Sequence, residues 1–141
     1  DRNNVRLRQI IGTMGIGERV HMLGYREDVS CLMAAFDVFV SASHSEAFPN
    51  VLGEAMASGV ICVATNAGDS CQIIGDTGKV VPLRDMESLA KEVLAVLAMS
   101  EAQRMALGRK ARARIEQKFE IGKIVTEYEK YFISLADEDR E

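Results

Sequence analysis

Short apolar runs alternate along this chain with longer stretches whose apolar residues recur at helical spacing. In the first stretch, 4–14, Val5, Leu7, Ile10, Ile11 and Met14 share one side of a helix, and the glycines at 15–17 supply its stop. A strand is predicted at 20–23, ending at Gly24, and a helix at 29–36 with Asp28 as its cap. Residues 38–40 form the next strand, and 49–58 form a helix ended by Gly59. The run 60–64 is continuously apolar, the signature of a strand covered on both faces. A helical turn at 70–74, a Gly75-Asp76-Thr77-Gly78 turn and a strand at 79–81 follow. Three helices are predicted last, at 86–99, 101–118 and 121–135.

Strands of the buried type alternating with helices predict an α/β fold with a doubly wound parallel sheet, Rossmann-like, followed by C-terminal helices. Ligands in such sheets bind beyond the carboxyl ends of the strands. The loop at that end, Ser41-Ala42-Ser43-His44-Ser45-Glu46-Ala47-Phe48, leads into the helix opened by Pro49. Proline suits the first helical position because its missing N–H has no partner there. The amides of Asn50, Val51 and Leu52 are then expected to be unpaired and, with the helix dipole, to form a phosphate seat.

Two carboxylates bracket that seat. Glu46 precedes the helix and Glu54 lies in its second turn, with seven residues between them. At ~1.5 Å rise per residue, Glu54 stands roughly 7–8 Å along the helix from its start. Such an offset suits a long ligand with its anion at the helix start and a vicinal hydroxyl pair held by each carboxylate through charge-assisted bonds. A nucleotide sugar has that layout.

Composition narrows the class. A length of 141 residues suits one domain, and a net charge of −4 gives no general attraction to nucleic acid. Apolar runs such as 93–99 are far short of the ~18–20 residues that cross a membrane. No basic-then-apolar leader opens the chain. Cys31, Cys62 and Cys71 are odd in number and lack ligand spacing, against a disulfide framework or a structural metal. A reduced, cytoplasmic protein is expected, at most peripheral at the inner membrane face.

The run Ser43-His44-Ser45-Glu46-Ala47-Phe48-Pro49-Asn50-Val51-Leu52-Gly53-Glu54-Ala55-Met56-Ala57-Ser58-Gly59 resembles the signature of glycosyltransferase family four, retaining enzymes of the GT-B architecture. The resemblance extends to 20–24, Ala35-Phe36-Asp37-Val38-Phe39-Val40, Val63-Ala64-Thr65-Asn66-Ala67-Gly68, the turn at 75–78, and the distal helices with Phe119, Tyr128 and Tyr131. It implies that residues 1–141 are the donor-binding C-terminal domain. That domain would lack its first two strands, with their basic pair, and the whole N-terminal acceptor domain.

The activity implied is transfer of a sugar, with retention, from a UDP- or GDP-sugar to a carbohydrate or lipid-linked acceptor, without metal or other cofactor. Glu46 would be catalytic and contact the hexose, and Glu54 would hold the ribose. The amides near Asn50, Val51 and Leu52 would hold the diphosphate, Phe48 and Pro49 would belong to the donor site, and the base would lie against Met22, Tyr25 and Arg26. In the strand order 3-2-1-4-5-6 the absent strands separate 20–23 from 38–40.

Blander readings compete. Either glutamate alone suits a solvated surface, and it is the proline-led helix between them that favours a site. A glycosidase pair is disfavoured because both carboxylates belong to one short segment around a phosphate-type helix start. His44 reads as an exposed loop residue, and the serines at 41, 43 and 45 lack a nucleophile elbow. Gly12-Thr13-Met14-Gly15-Ile16-Gly17 follows a helix and has the wrong glycine order for a dinucleotide fingerprint. Arg104, Arg109, Lys110, Arg112, Arg114 and Lys118 read as a solvated face, attraction to acidic headgroups being the lesser reading. Cys62 reads as core. The rival function is a non-catalytic nucleotide- or carbohydrate-binding module using the same cleft.

Overall fold

The computed structural model describes residues 3–138. Helix α1 spans Val5–Thr13, α2 Val29–Ala34, strand β1 Phe39–Ser41 and helix α3 Asn50–Ala57. Strand β2 follows at Cys62–Thr65, then α4 at Ser70–Ile74, β3 at Lys79–Val81, and helices α5 Met86–Leu97, α6 Glu101–Lys118 and α7 Ile121–Glu138. The strands form a parallel sheet in the order β1-β2-β3, with Phe39 opposite Cys62 and Val63 opposite Lys79.

Every residue of β2 is buried, and its side chains alternate between two cores. Cys62 and Ala64 face Leu52, Ala55 and Met56 of α3, Ile73 and Ile74 of α4, and Ala111 of α6. Ile61 and Val63 face Val81 and, from α5, Leu89 and Val96. Helices thus cover both faces of the sheet, as the continuous apolar run predicts. Helix α3 ends as Gly59 adopts a φ of +79°. Its amide then reaches the Met56 carbonyl and the Val60 amide that of Ala55, which satisfies the last turn.

Helix caps follow the side chains. Asn4, Asp85 and Ser100 accept from the amides of Leu7, Ser88 and Gln103. Ahead of α7, the Glu120 carboxylate accepts from the amides of Gly122 and Lys123, each at 3.0 Å. These amide bonds hold the carboxyls of Asp85 and Glu120 below the usual carboxylate range. Both caps therefore stabilise their helices above the ordinary carboxylate pKa and lose that contribution as pH falls through the lowered folded value.

Several expectations are corrected. The run 20–23 joins no ladder, because among the described residues no strand lies beside it. Asp28 occupies the N-cap of α2 without capping it. Its carboxylate is taken by Arg26, whose Nε donates at 2.7 Å, and α2 ends at Ala34. Pro49 is the N-cap residue of α3 and not its first helical residue.

Three of the cations expected on a solvated face of α6 are engaged. Arg104 donates to the Met99 carbonyl at 2.6 Å, beyond α5, and pairs with Asp37 at 3.5 Å. Arg114 donates to the carbonyls of Gln72 and Ile73 at 2.7 and 2.8 Å, closing α4 and lying over Gly75. Arg112 pairs with Glu116 one turn on, at 2.8 Å. No helix among the described residues is long and apolar enough to cross a membrane. Helix α7 leaves Tyr128, Tyr131 and Phe132 exposed and packed on one another, and α1 buries none of its residues.

Helices α3 and α6 cross closely at Gly108, where a Cβ would stand 2.0 Å from the Gly59 carbonyl oxygen. Alanine in an open helical position, such as Gly12, stabilises by about 0.5–1 kcal/mol. Gly108→Ala is expected to destabilise by about 1–3 kcal/mol instead, as overpacking does. Denaturant melts of both variants check the opposite signs.

Burial pushes the Cys62 thiol up to about 12, so it stays protonated and inert, whereas Cys31 and Cys71 are exposed. Thiol alkylation of the native protein should label Cys31 and Cys71, with Cys62 labelled only after unfolding.

Candidate functional site

The carboxyl ends of β1 and β2 open onto the segment 42–48, which has no ladder of its own. Neighbouring elements fix it. Thr65, the last residue of β2, donates its hydroxyl to the Ser43 carbonyl at 2.6 Å and lies 3.4 Å from that of Ser41. The Asp69 amide donates to the Ala47 carbonyl at 3.0 Å. Gly68, at a φ of +53°, presses its Cα face against the carbonyls of Glu46 and Ala47. The Phe48 ring meets Phe119, at the end of α6, with centroids 6.0 Å apart.

Beyond the loop Pro49 is buried and α3 begins. Leu52, Ala55 and Met56 anchor α3 in the core and turn Asn50 and Glu54 to the opposite, exposed side, one helical turn apart. The Leu52 amide is not unpaired, as expected from the sequence, because it donates to the Pro49 carbonyl at 3.0 Å. The amides of Asn50 and Val51 precede the first such bond and remain the orphan donors of this helix start. Glu46 is exposed on the loop, and Glu54 borders a groove of about 300 Å³ with Ser30, Met33, Ala57 and Ser58. Along the chain the two exposed carboxylates therefore bracket the start of α3, Glu46 before Pro49 and Glu54 in the helix.

The stretch Met22, Tyr25 and Arg26 does not line this groove, to which α2 supplies Ser30 and Met33. Met22 is half-buried, Tyr25 is 90% exposed, and the Arg26 guanidinium is engaged by Asp28. That bidentate pair raises the Arg26 pKa and lowers that of Asp28. His44 is exposed on the loop. A larger cavity, about 440 Å³, lies at the opposite end of the strands beside Asp37, Ile61 and Arg104, away from where α/β sheets bind ligands. Among the described residues no three His, Cys, Asp or Glu side chains group as a metal site would require.

Thr65, Gly68 and Phe119 act on the loop without having been singled out as site residues. A hydroxyl and a glycine at the carboxyl end of a buried strand were the available signal. Phe119, a distant aromatic, enters only through the resemblance of the distal helices, which does not place it against the loop.

A parallel sheet covered by helices on both faces, with α3 starting beyond the carboxyl end of β1, defines an α/β domain of the Rossmann-like kind. The chain belongs to the glycosyl transferases of group 1, whose family model matches residues 1–99. It is 33% identical over 134 residues to N-acetyl-alpha-D-glucosaminyl L-malate synthase of Bacillus anthracis, covering 94% of this chain and 35% of that protein. Its fold is similar to that of sucrose-phosphate synthase from Thermosynechococcus elongatus, at a TM-score of 0.85 and 27% identity over 94% of this chain and 34% of the other. It is also similar to Anabaena HepE in complex with UDP, at 0.84 and 28% over 92% and 36%. The architecture is that of the C-terminal Rossmann-like domain of GT-B glycosyltransferases. The chain spans about a third of the length of these relatives.

Proposed function

We propose that this chain is the donor-binding part of a longer, retaining glycosyltransferase of family four. The whole protein would move a hexose from a UDP- or GDP-sugar to a carbohydrate or lipid-linked acceptor. The observation that carries the reading is the start of α3. Its orphan amides at Asn50 and Val51 suit an anion, and exposed carboxylates precede and follow that start in the chain at Glu46 and Glu54. The UDP held by HepE, a structural relative at 28% identity, supports a nucleoside diphosphate as that anion.

In this scheme the diphosphate sits at the helix start, Glu54 accepts hydrogen bonds from the ribose hydroxyls, and Glu46 accepts from those of the hexose. As the anomeric carbon–oxygen bond breaks, negative charge gathers on the departing diphosphate, and the fixed amides and helix dipole stabilise it there. The base lies toward Met22 and Tyr25, and Arg26 reaches it only by exchanging its bond to Asp28. No metal or other cofactor is assigned to this chain. The acceptor site falls to an N-terminal domain, and the exposed apolar faces of α1 and α7 support further polypeptide covering them. Three free cysteines support a reducing, cytoplasmic setting.

The full-length protein, offered a panel of nucleotide sugars, should release UDP or GDP, and the product's anomeric configuration should match the donor's. Absence of both donor binding and release across the panel would end this reading, and binding without release would favour a non-catalytic module.

The two carboxylates separate in a second test. Glu54→Gln should weaken nucleoside diphosphate binding by about 1.5–3 kcal/mol, the range for hydrogen bonds to a charged group. Glu46→Gln should leave that binding nearly unchanged and lower turnover. Calorimetric titration beside turnover assays checks both, and equal weakening by the two variants would refute the division of roles.

A further inference from the structure

We infer that Thr65 and Gly68 are positioning residues that set where the Glu46 carboxylate stands relative to the start of α3; this rests on the role proposed for Glu46. The loop 42–48 has no ladder, so its course must be imposed from outside. Two hydrogen bonds do so, one on each side of Glu46. The Thr65 hydroxyl holds the Ser43 carbonyl at 2.6 Å, and the Asp69 amide holds that of Ala47 at 3.0 Å.

Between those two points Gly68 supplies a floor. A Cβ there would stand 2.4 Å from the Glu46 carbonyl oxygen and 2.3 Å from that of Ala47. Both are backbone atoms, which cannot rotate aside as a flexible side chain would. The φ of +53° adds a second reason for glycine, since residues with a Cβ adopt it at a cost. A side chain at 68 therefore moves the backbone that carries Glu46.

Thr65 is 2% exposed, and its shape in the strand would be matched by valine. What valine lacks is the hydroxyl, which meets the carbonyls of Ser43 and Ser41. The Thr65 hydroxyl and a Cβ at 68 meet the backbone of residues 41–47, whereas the diphosphate and ribose contacts are proposed on α3. Altering Thr65 or Gly68 should thus displace the hexose contact and spare the nucleotide contact.

In the full-length protein, Thr65→Val, Thr65→Ser and Gly68→Ala are compared by donor kinetics and by calorimetric binding of UDP and GDP. Thr65→Val and Gly68→Ala should lower kcat about tenfold or more, as expected when a reacting group is misplaced. The nucleoside diphosphate Kd should stay within about twofold, because the α3 contacts are untouched. Thr65→Ser, which keeps the hydroxyl, should recover most of the kcat. Unchanged kcat in Thr65→Val, parallel loss of binding and turnover, or failure of serine to rescue would each overturn the inference.

Crystal structures of Thr65→Val and Gly68→Ala decide the point independently of turnover. The backbone at 46–47 should shift while α3 stays in place, and an unmoved loop in both would overturn the inference even if the wild-type protein transfers no sugar. If one variant fails to fold, the other carries the test.

Discussion

Strand β2 is hydrogen-bonded along both edges and buried on both faces, and the other elements take their places from it. Parallel pairing on both sides supplies partners for the backbone groups of this buried strand. Its side chains divide the apolar residues of α3 and α4 from those of α5, and α6 contributes to both cores, through Ala111 and Leu107. Fully burying a Val, Leu or Ile side chain is worth about 1.5–3 kcal/mol, and both cores hold several. The same strand ends at Thr65, so the element that organises the core also delivers a hydroxyl to the loop that bears Glu46.

From that strand outward, the architecture is a balance of close backbone contacts and capped helix ends. Glycine at 108 lets α6 settle on the turn that ends α3, and glycine at 68 lets the turn after β2 settle under the 46–47 backbone. Arg104 donates to a carbonyl just beyond α5 and Arg114 to carbonyls in the last turn of α4, where a cation offsets the negative end of a helix. The remaining exposed cations of α6, Arg109, Lys110 and Lys118, are spread along the helix, which leaves less of a continuous basic stripe than the composition of α6 suggests.

Much of this was legible in the sequence, for identifiable reasons. The run around 60–64 is apolar at every position, and only a strand covered on both faces needs that. The segment Phe48-Pro49-Asn50 announces a helix start because proline tolerates that position. The run 20–23 misled because β composition describes a side-chain preference, whereas a strand exists only beside another strand. Asp28 misled because capping is a competition, and Arg26 two residues earlier offers its carboxylate a bidentate partner. The Leu52 amide misled because the first turn closes on the Pro49 carbonyl. The role of Gly68 depends on a loop more than twenty residues earlier in the chain, a proximity that no local pattern encodes.

The account's central claim is that the start of α3 seats the diphosphate of a nucleotide donor. A crystal structure of the full-length protein grown with UDP or GDP tests it most directly. The account predicts diphosphate oxygens within hydrogen-bonding distance, about 3 Å, of the Asn50 and Val51 amides, with the ribose hydroxyls on Glu54. A bound nucleotide with its diphosphate elsewhere, and the start of α3 facing only solvent, would contradict it.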